Sequence, residues 1–341
     1  MFRTMPESYF RNKITLMNVI LTMMIVILHA NSPERFGEPL QVYYFIYMMS
    51  MLCRIATPLF FFISALLFYK NCSFGEIERK FNARIYSLLI PYILWNCFFV
   101  ACYWILSHVP VISSRMNMGD VLNTPKDIIL AVLNSYHTDM WFIKNLMCYT
   151  LLAPVLLILF QKEKRTWILG IIIFSLALYL MPEYKSLLRW LPVYLMGAMV
   201  GYFWDKNTFG YFFQSKKTRF FTIITVVVFL LIYIISLRTE SDILLTYFAP
   251  ILIWFIIDGL FSDMIASLKI KKWMNCMFFI FCTHHFLLNV LQKLIFIFMP
   301  HTYFVIMLTF ILSPFIVVGV LLWIARMFSE CKLYKIMTGG R

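Results

Sequence analysis

YYFIYMMSMLCRIATPLFFFISALLFY, residues 43–69, carries one charged side chain, Arg54, in 27 positions. An α-helix needs about 20 apolar residues to cross the hydrocarbon of a bilayer. A barrel strand needs only about 10, with alternating polarity. Backbone polar groups in lipid must also be satisfied within their own segment. The run is therefore a membrane-spanning helix. Working outward, comparable runs lie at 14–31, 85–107, 140–160, 167–181, 188–204, 219–237, 243–260, 274–298 and 302–327. The fifth and sixth runs, 167–181 and 188–204, are separated only by Pro182–Leu187. The expected fold class is all-α: a polytopic integral membrane protein of about ten transmembrane helices, with residues 1–341 as a single transmembrane domain. Composition excludes the soluble alternative, because 62% hydrophobic against 13% charged residues leaves too much apolar side chain to hide from water.

The Lys and Arg residues outside these runs fall unevenly on the two sides. Alternate segments hold 21 on one side, and the intervening ones hold 6. The positive-inside rule then puts both termini in the cytoplasm, which an even number of spans requires. Much of the net charge of +14 is a topology signal facing membrane lipids. No basic stripe with an aromatic platform accompanies it, so no nucleic-acid partner is expected. The first run follows basic residues but lacks a small-x-small cleavage site, and it is kept as a span. The eight cysteines show no CxxC spacing, so neither a metal centre nor a disulfide framework is expected. The longest loop, 108–139, is placed outside, with an interfacial helix expected over 125–135. No phosphate-binding glycine loop, GxSxG or HExxH occurs, and no internal repeat is evident. The missing repeat counts against the inverted-repeat transporters.

Ionisable residues inside a span are costly and usually face the bundle interior. Five stand out: His29, Arg54, Lys144, His284 and His285. At about 1.5 Å per residue, His29 lies roughly 24 Å from the cytoplasmic end of its helix. Arg54 lies about 16 Å in from the outer end, Lys144 within about a turn of the outer boundary, and His284 about 15 Å from the inner one. The expectation is that His29, Arg54, Lys144 and His284 line one buried pocket in the middle and outer half of the membrane. Each also has a plainer reading. His29 stands where interfacial polar caps occur, Arg54 suits a structural ion pair, Lys144 can snorkel to the surface, and one of the two adjacent histidines can be packing.

Around these residues the sequence resembles the acyltransferase-3 family of membrane acyltransferases, of the bacterial surface-glycan O-acetyltransferase type. Ile14–Ala30, ending IVILHA, is similar to the family's first helix with its terminal His. RIATPLFFFISALLFY, Arg54–Tyr69, is similar to its PLFFFISG helix, with Ala65 where Gly is usual. RIYSLLIPYILW, Arg84–Trp95, resembles the approach to its third helix. MWFIKNLMCYTLLAP, Met140–Pro154, resembles the WF-(L/I)-(R/K)-(D/N)-L…P helix of glycan-modifying members. LPVYLMGAMVG, Leu191–Gly201, and MFFIFCTH, Met277–His284, are similar to two later helices. There is one departure. Many members carry Arg eleven residues before the first-helix His, and here that position is Asn18, which supplies neither the cation nor the donor fork of Arg.

The resemblance implies a donor, acetyl-CoA or another acyl-CoA, without a metal. It implies an acceptor hydroxyl on a cell-surface or lipid-linked glycan, and a multi-pass location in the bacterial plasma membrane. His29 is then the expected general base, Arg54 or Lys144 the stabiliser of the oxyanion, and His284 the group that orients His29, relays a proton or binds acceptor. Arg84 is expected either to hold the phosphates of CoA in place of the missing cation or to be a topology charge, with Arg11 and Lys13 as fallbacks. The rival expectation is a transporter or flippase of a lipid-linked or anionic substrate.

Overall fold

Pro58 and Pro154 set where two of the long helices break. A proline lacks the N–H that would return to the carbonyl four residues earlier, and its ring crowds that carbonyl. For Pro58 that carbonyl belongs to Arg54, and the 43–69 run accordingly divides into α2 (Leu40–Cys53) and α3 (Ala56–Tyr69), with Arg54 and Ile55 between them. For Pro154 it belongs to Thr150, and α7 (Trp141–Leu151) meets α8 (Ala153–Phe160) at a bend of 51°.

The computed structural model describes residues 6–30, 40–108, 124–135, 140–161, 170, 187–203, 216–300 and 302–340. The remaining helices there are α1 (Glu7–His29), α4 (Phe74–Arg84), α5 (Ile90–Ser107), α6 (Pro125–Asn134), α9 (Leu187–Tyr202), α10 (Lys216–Arg238), α11 (Ile243–Ser267), α12 (Met277–Phe298), α13 (Tyr303–Phe328) and α14 (Lys332–Met337). Among the described residues every regular element is helical. Seven helices or continuous helix pairs are long and apolar enough to cross a membrane, and eight when α7 and α8 count as one span. The expected span at 188–204 is the shorter α9, of 16 residues. The expected span at 167–181 lies outside the described residues. The interfacial helix expected over 125–135 is α6, whose Thr124 hydroxyl and Asp127 carboxylate cap each other's backbone N–H groups.

α1 is the central helix, packed against α2, α3, α11, α12 and α13. It begins at Glu7, a full turn and more before the expected start, so Lys13 is not a loop charge. Its ammonium is fully buried. It donates 2.7 Å to Asp258 and 2.9 Å to the Trp254 carbonyl of α11, and lies 3.5 Å from the Trp254 ring centroid. Tyr9 donates to the other oxygen of Asp258 at 2.8 Å. A buried charge persists only when paired and hydrogen-bonded, and this network ties α1 to α11.

Helices α3 and α9 approach each other closely. A Cβ on Gly197 would stand 2.2 Å from the Phe62 carbonyl oxygen, and one on Gly201 would stand 2.5 Å from that of Leu66. Without a hydrophobic driving force in lipid, such small residues let backbones approach. A third proline, Pro91, leaves the Ser87 carbonyl without its usual partner, and the backbone widens into a π turn over Ile85–Leu89 between α4 and α5. The chain's C-terminal end packs there: the Met337 carbonyl accepts from Trp95 at 2.9 Å, and Gly339, at φ +68°, sits against the Ser87 backbone.

Candidate functional site

The α2–α3 break and the C-terminus of α1 open on one space. A cavity of about 440 Å³ is lined by His29 of α1, Arg54 of the break, Thr57 of α3, Trp141 and Phe142 of α7, Arg189 of α9, Asp242 at the start of α11 and Phe281 of α12. The end of α1 is pinned from outside: the Gln292 amide of α12 donates 2.9 Å to the Ala30 carbonyl and lies 3.4 Å from Ser313 Oγ of α13. That contact fixes His29, one residue earlier, without using its ring.

The His29 ring lies 5.1 Å from that of His284 and stacks at 4.8 Å on that of His285. His284 is 1% exposed. Its Nδ1 is 2.8 Å from the Phe281 carbonyl and 3.1 Å from that of Ile280. Carbonyls only accept, so Nδ1 carries a hydrogen. Asp242 bridges two guanidiniums. Arg189 donates to Oδ1 in a short contact, whereas Arg54 Nη1 stands 3.8 Å from Oδ2. The Arg54 side chain is 39% exposed and that of Arg189 16%. Asp242 is thus committed to Arg189 and holds Arg54 by one edge. An Arg held that way keeps N–H donors for a ligand anion or a developing oxyanion. Among the described lining residues, two guanidiniums and one carboxylate stand beside an imidazole.

A second cavity, of about 520 Å³, lies toward the amino-terminal end of α1. Asn18, Thr15 and Thr22 line it, with Ser64 of α3, Asn275 before α12, and Arg84. Arg84 ends α4, just before the π turn. It donates 2.9 Å to the Ser64 carbonyl, with its guanidinium 5.6 Å from the Phe68 ring centroid. The neighbouring cations are engaged elsewhere. Lys80 donates to the carbonyls of Phe68 and Lys70 at the end of α3, and Lys70 pairs with Glu7 at 3.1 Å.

The structure therefore brings His29 and Arg54 to one cavity, with His284 directly behind His29, and puts Arg84 with Asn18 in another. Lys144 joins neither. Its ammonium donates 2.9 Å to Asn134 Oδ1 at the end of α6, so the expected single pocket does not include it. The end of α6 offers the ammonium a polar partner in Asn134. Arg189, Asp242 and Trp141 line the cavity without being candidates from the sequence. Arg189 falls among the six basic residues of the outer segments, and Asp242 stands at a span edge where an acid draws no notice. Among the described residues no group of three or more His, Cys, Asp or Glu is placed to hold a metal ion.

The acyltransferase-3 family model, described as an acyltransferase domain, matches residues 11–324, nearly the whole chain. No curated protein and no solved structure matches it. The chain belongs to the acyltransferase-3 family, and its apolar helices make it a multi-pass membrane acyltransferase.

Proposed function

We propose that this protein is an O-acyltransferase, moving an acyl group, acetyl first, from cytoplasmic acyl-CoA to a hydroxyl of a cell-surface or lipid-linked glycan. It does so within a ten-span bundle in the bacterial plasma membrane, with both termini in the cytoplasm. The observation that carries the reading is the stacking of two cavities along α1, with Arg84 in one and His29 in the other. A donor whose phosphates rest near Arg84 has its thioester arm directed along α1 toward His29. From Asn18 to His29 is eleven residues, about 16 Å of helix.

In this reading the acceptor hydroxyl lies in the His29 cavity. Its oxygen attacks the thioester carbonyl carbon while His29 removes its proton. Arg54 faces the oxyanion. The carbon–sulfur bond then breaks, the thiolate takes the proton back from His29, and ester and free CoA result. His284, with its Nδ1–H fixed on a carbonyl, holds the adjoining ring. Trp141 in the same cavity offers an apolar face to a sugar ring.

Purified protein in liposomes, given acetyl-CoA labelled in the acetyl group and a membrane-glycan extract, tests the proposal. The expected result is label in alkali-labile ester on the glycan fraction, with matching release of free CoA. Movement of glycan across the membrane with no thioester consumed would instead support the transporter reading.

A further inference from the structure

The two cavities follow one another along four helices, and on three of them a phenylalanine stands at the changeover. On α1 the larger cavity is lined up to Thr22 and the smaller from Ile25 onward. On α3, α7 and α12 the residues that border both are Phe60, Phe142 and Phe281. The ring centroids of Phe60 and Phe142 are 6.0 Å apart, and those of Phe142 and Phe281 5.9 Å. Rings at that separation are in contact, so no chain passes between them as they stand. They also differ from ordinary filling. Phe61, next to Phe60, is 0% exposed and enclosed by protein, whereas the three bordering rings are each only partly buried.

We propose that Phe60, Phe142 and Phe281 form a phenyl partition between the two cavities, a width filter that admits a slender unbranched acyl-thioester arm and excludes a branched one. The inference rests on the acyl-transfer reading above. A thioester arm reaching from Arg84 to His29 must cross the level of these rings. An unbranched chain is narrower than a phenyl ring and crosses once the rings turn aside. A methyl branch next to the carbonyl widens the chain and demands that the rings, and the packed side chains behind them, move further. One methyl group distinguishes substrates by roughly tenfold or more in a fitted apolar passage.

Two reporters test the partition apart from the chemistry. Leu28→Cys places a thiol in the smaller cavity, and Ser64→Cys places one in the larger. Sealed vesicles carrying either variant are treated with a small charged methanethiosulfonate on each face in turn, and read against vesicles lacking the added cysteine. With the partition intact, each cysteine is expected to react from one face, and the two from opposite faces. Adding Phe142→Ala is expected to raise reaction from the other face about tenfold or more. In acyl transfer, the preference in kcat/KM for n-butyryl-CoA over isobutyryl-CoA is expected to fall about tenfold in Phe142→Ala. Phe281→Ala repeats both measurements where Phe142→Ala does not fold. Labelling still confined to one face, or an unchanged ratio in an active variant, overturns the proposal. Where no protein consumes any thioester, the acyl-transfer reading fails and the labelling alone decides the partition.

Discussion

Arg84 and Asn18 line one cavity, although 66 positions separate them in the chain. Asn18 stands at the position where the family resemblance implies Arg in many members. Arg84 reaches that volume because the π turn forced by Pro91 stands between it and the rest of α5. Arg84, from another helix, puts a cation on the wall of the cavity that Asn18 lines. The fallback Lys13 is excluded from this role, since Asp258 and the Trp254 carbonyl hold its ammonium.

Arg84→Ala is expected to weaken CoA binding about 10- to 100-fold, from losing charge-assisted hydrogen bonds worth about 1.5–3 kcal/mol. Acceptor dependence is expected to stay the same. Titration calorimetry of the purified variant with CoA measures this. Unchanged affinity would remove Arg84 from the donor site.

His29→Ala is expected to lower kcat by about 10²–10⁴ with the protein still folded. The neighbouring contact that pins α1, from Gln292 to the Ala30 carbonyl, does not involve the His29 ring. Turnover measured beside a thermal melt separates loss of chemistry from loss of fold, and near-normal turnover would take His29 out of the mechanism.

Asp258→Ala or Lys13→Ala is expected to cost about 3–5 kcal/mol, because each strands a buried partner charge. The double variant Lys13→Met/Asp258→Leu is expected to regain most of that. A double-mutant cycle on denaturant unfolding in detergent reads the coupling, and strictly additive losses would show that the pair does not tie α1 to α11.

Gly197→Ala is expected to destabilise by about 1–3 kcal/mol, since the Phe62 backbone has nowhere to retreat. Gly319→Ala is the contrast: a Cβ there meets nothing within 4 Å, and no loss is expected. Melting temperatures of the two variants that agree would argue against the close α3–α9 contact.

Cys331 and Cys72 are expected to be modified from the same face of the membrane, the cytoplasmic one, but at different pH. The Tyr334 and Leu333 backbone N–H groups at the start of α14 hold the Cys331 thiol below its ordinary range, whereas burial pushes that of Cys72 up. The thiolate is the reactive form, so the rate at Cys331 should rise at lower pH than the rate at Cys72. Peptide mass spectrometry after timed alkylation with an impermeant reagent reports both order and sidedness. Modification of the two from opposite faces would defeat the expected topology.

The membrane class was written in the sequence, because a bilayer asks only for length and apolarity, and runs such as 43–69 state both. His29 and Arg54 were legible as candidates for the same reason: an ionisable group in an apolar run is costly enough to need a purpose. Composition could not say which charges meet. Lys13 looks like a loop cation until α1 is seen to start at Glu7 and Asp258 to face it. Arg189 and Asp242 look like edge charges until the folding of α9 and α11 brings them to Arg54. Lys144 looks like a pocket residue until α6 is seen to bring Asn134 to its ammonium. Local sequence determined which segments are helices and where prolines break them, since those rules act within a few residues. Which side chains share a cavity depends on helix rotation and crossing across the whole bundle, and only the tertiary structure decided that.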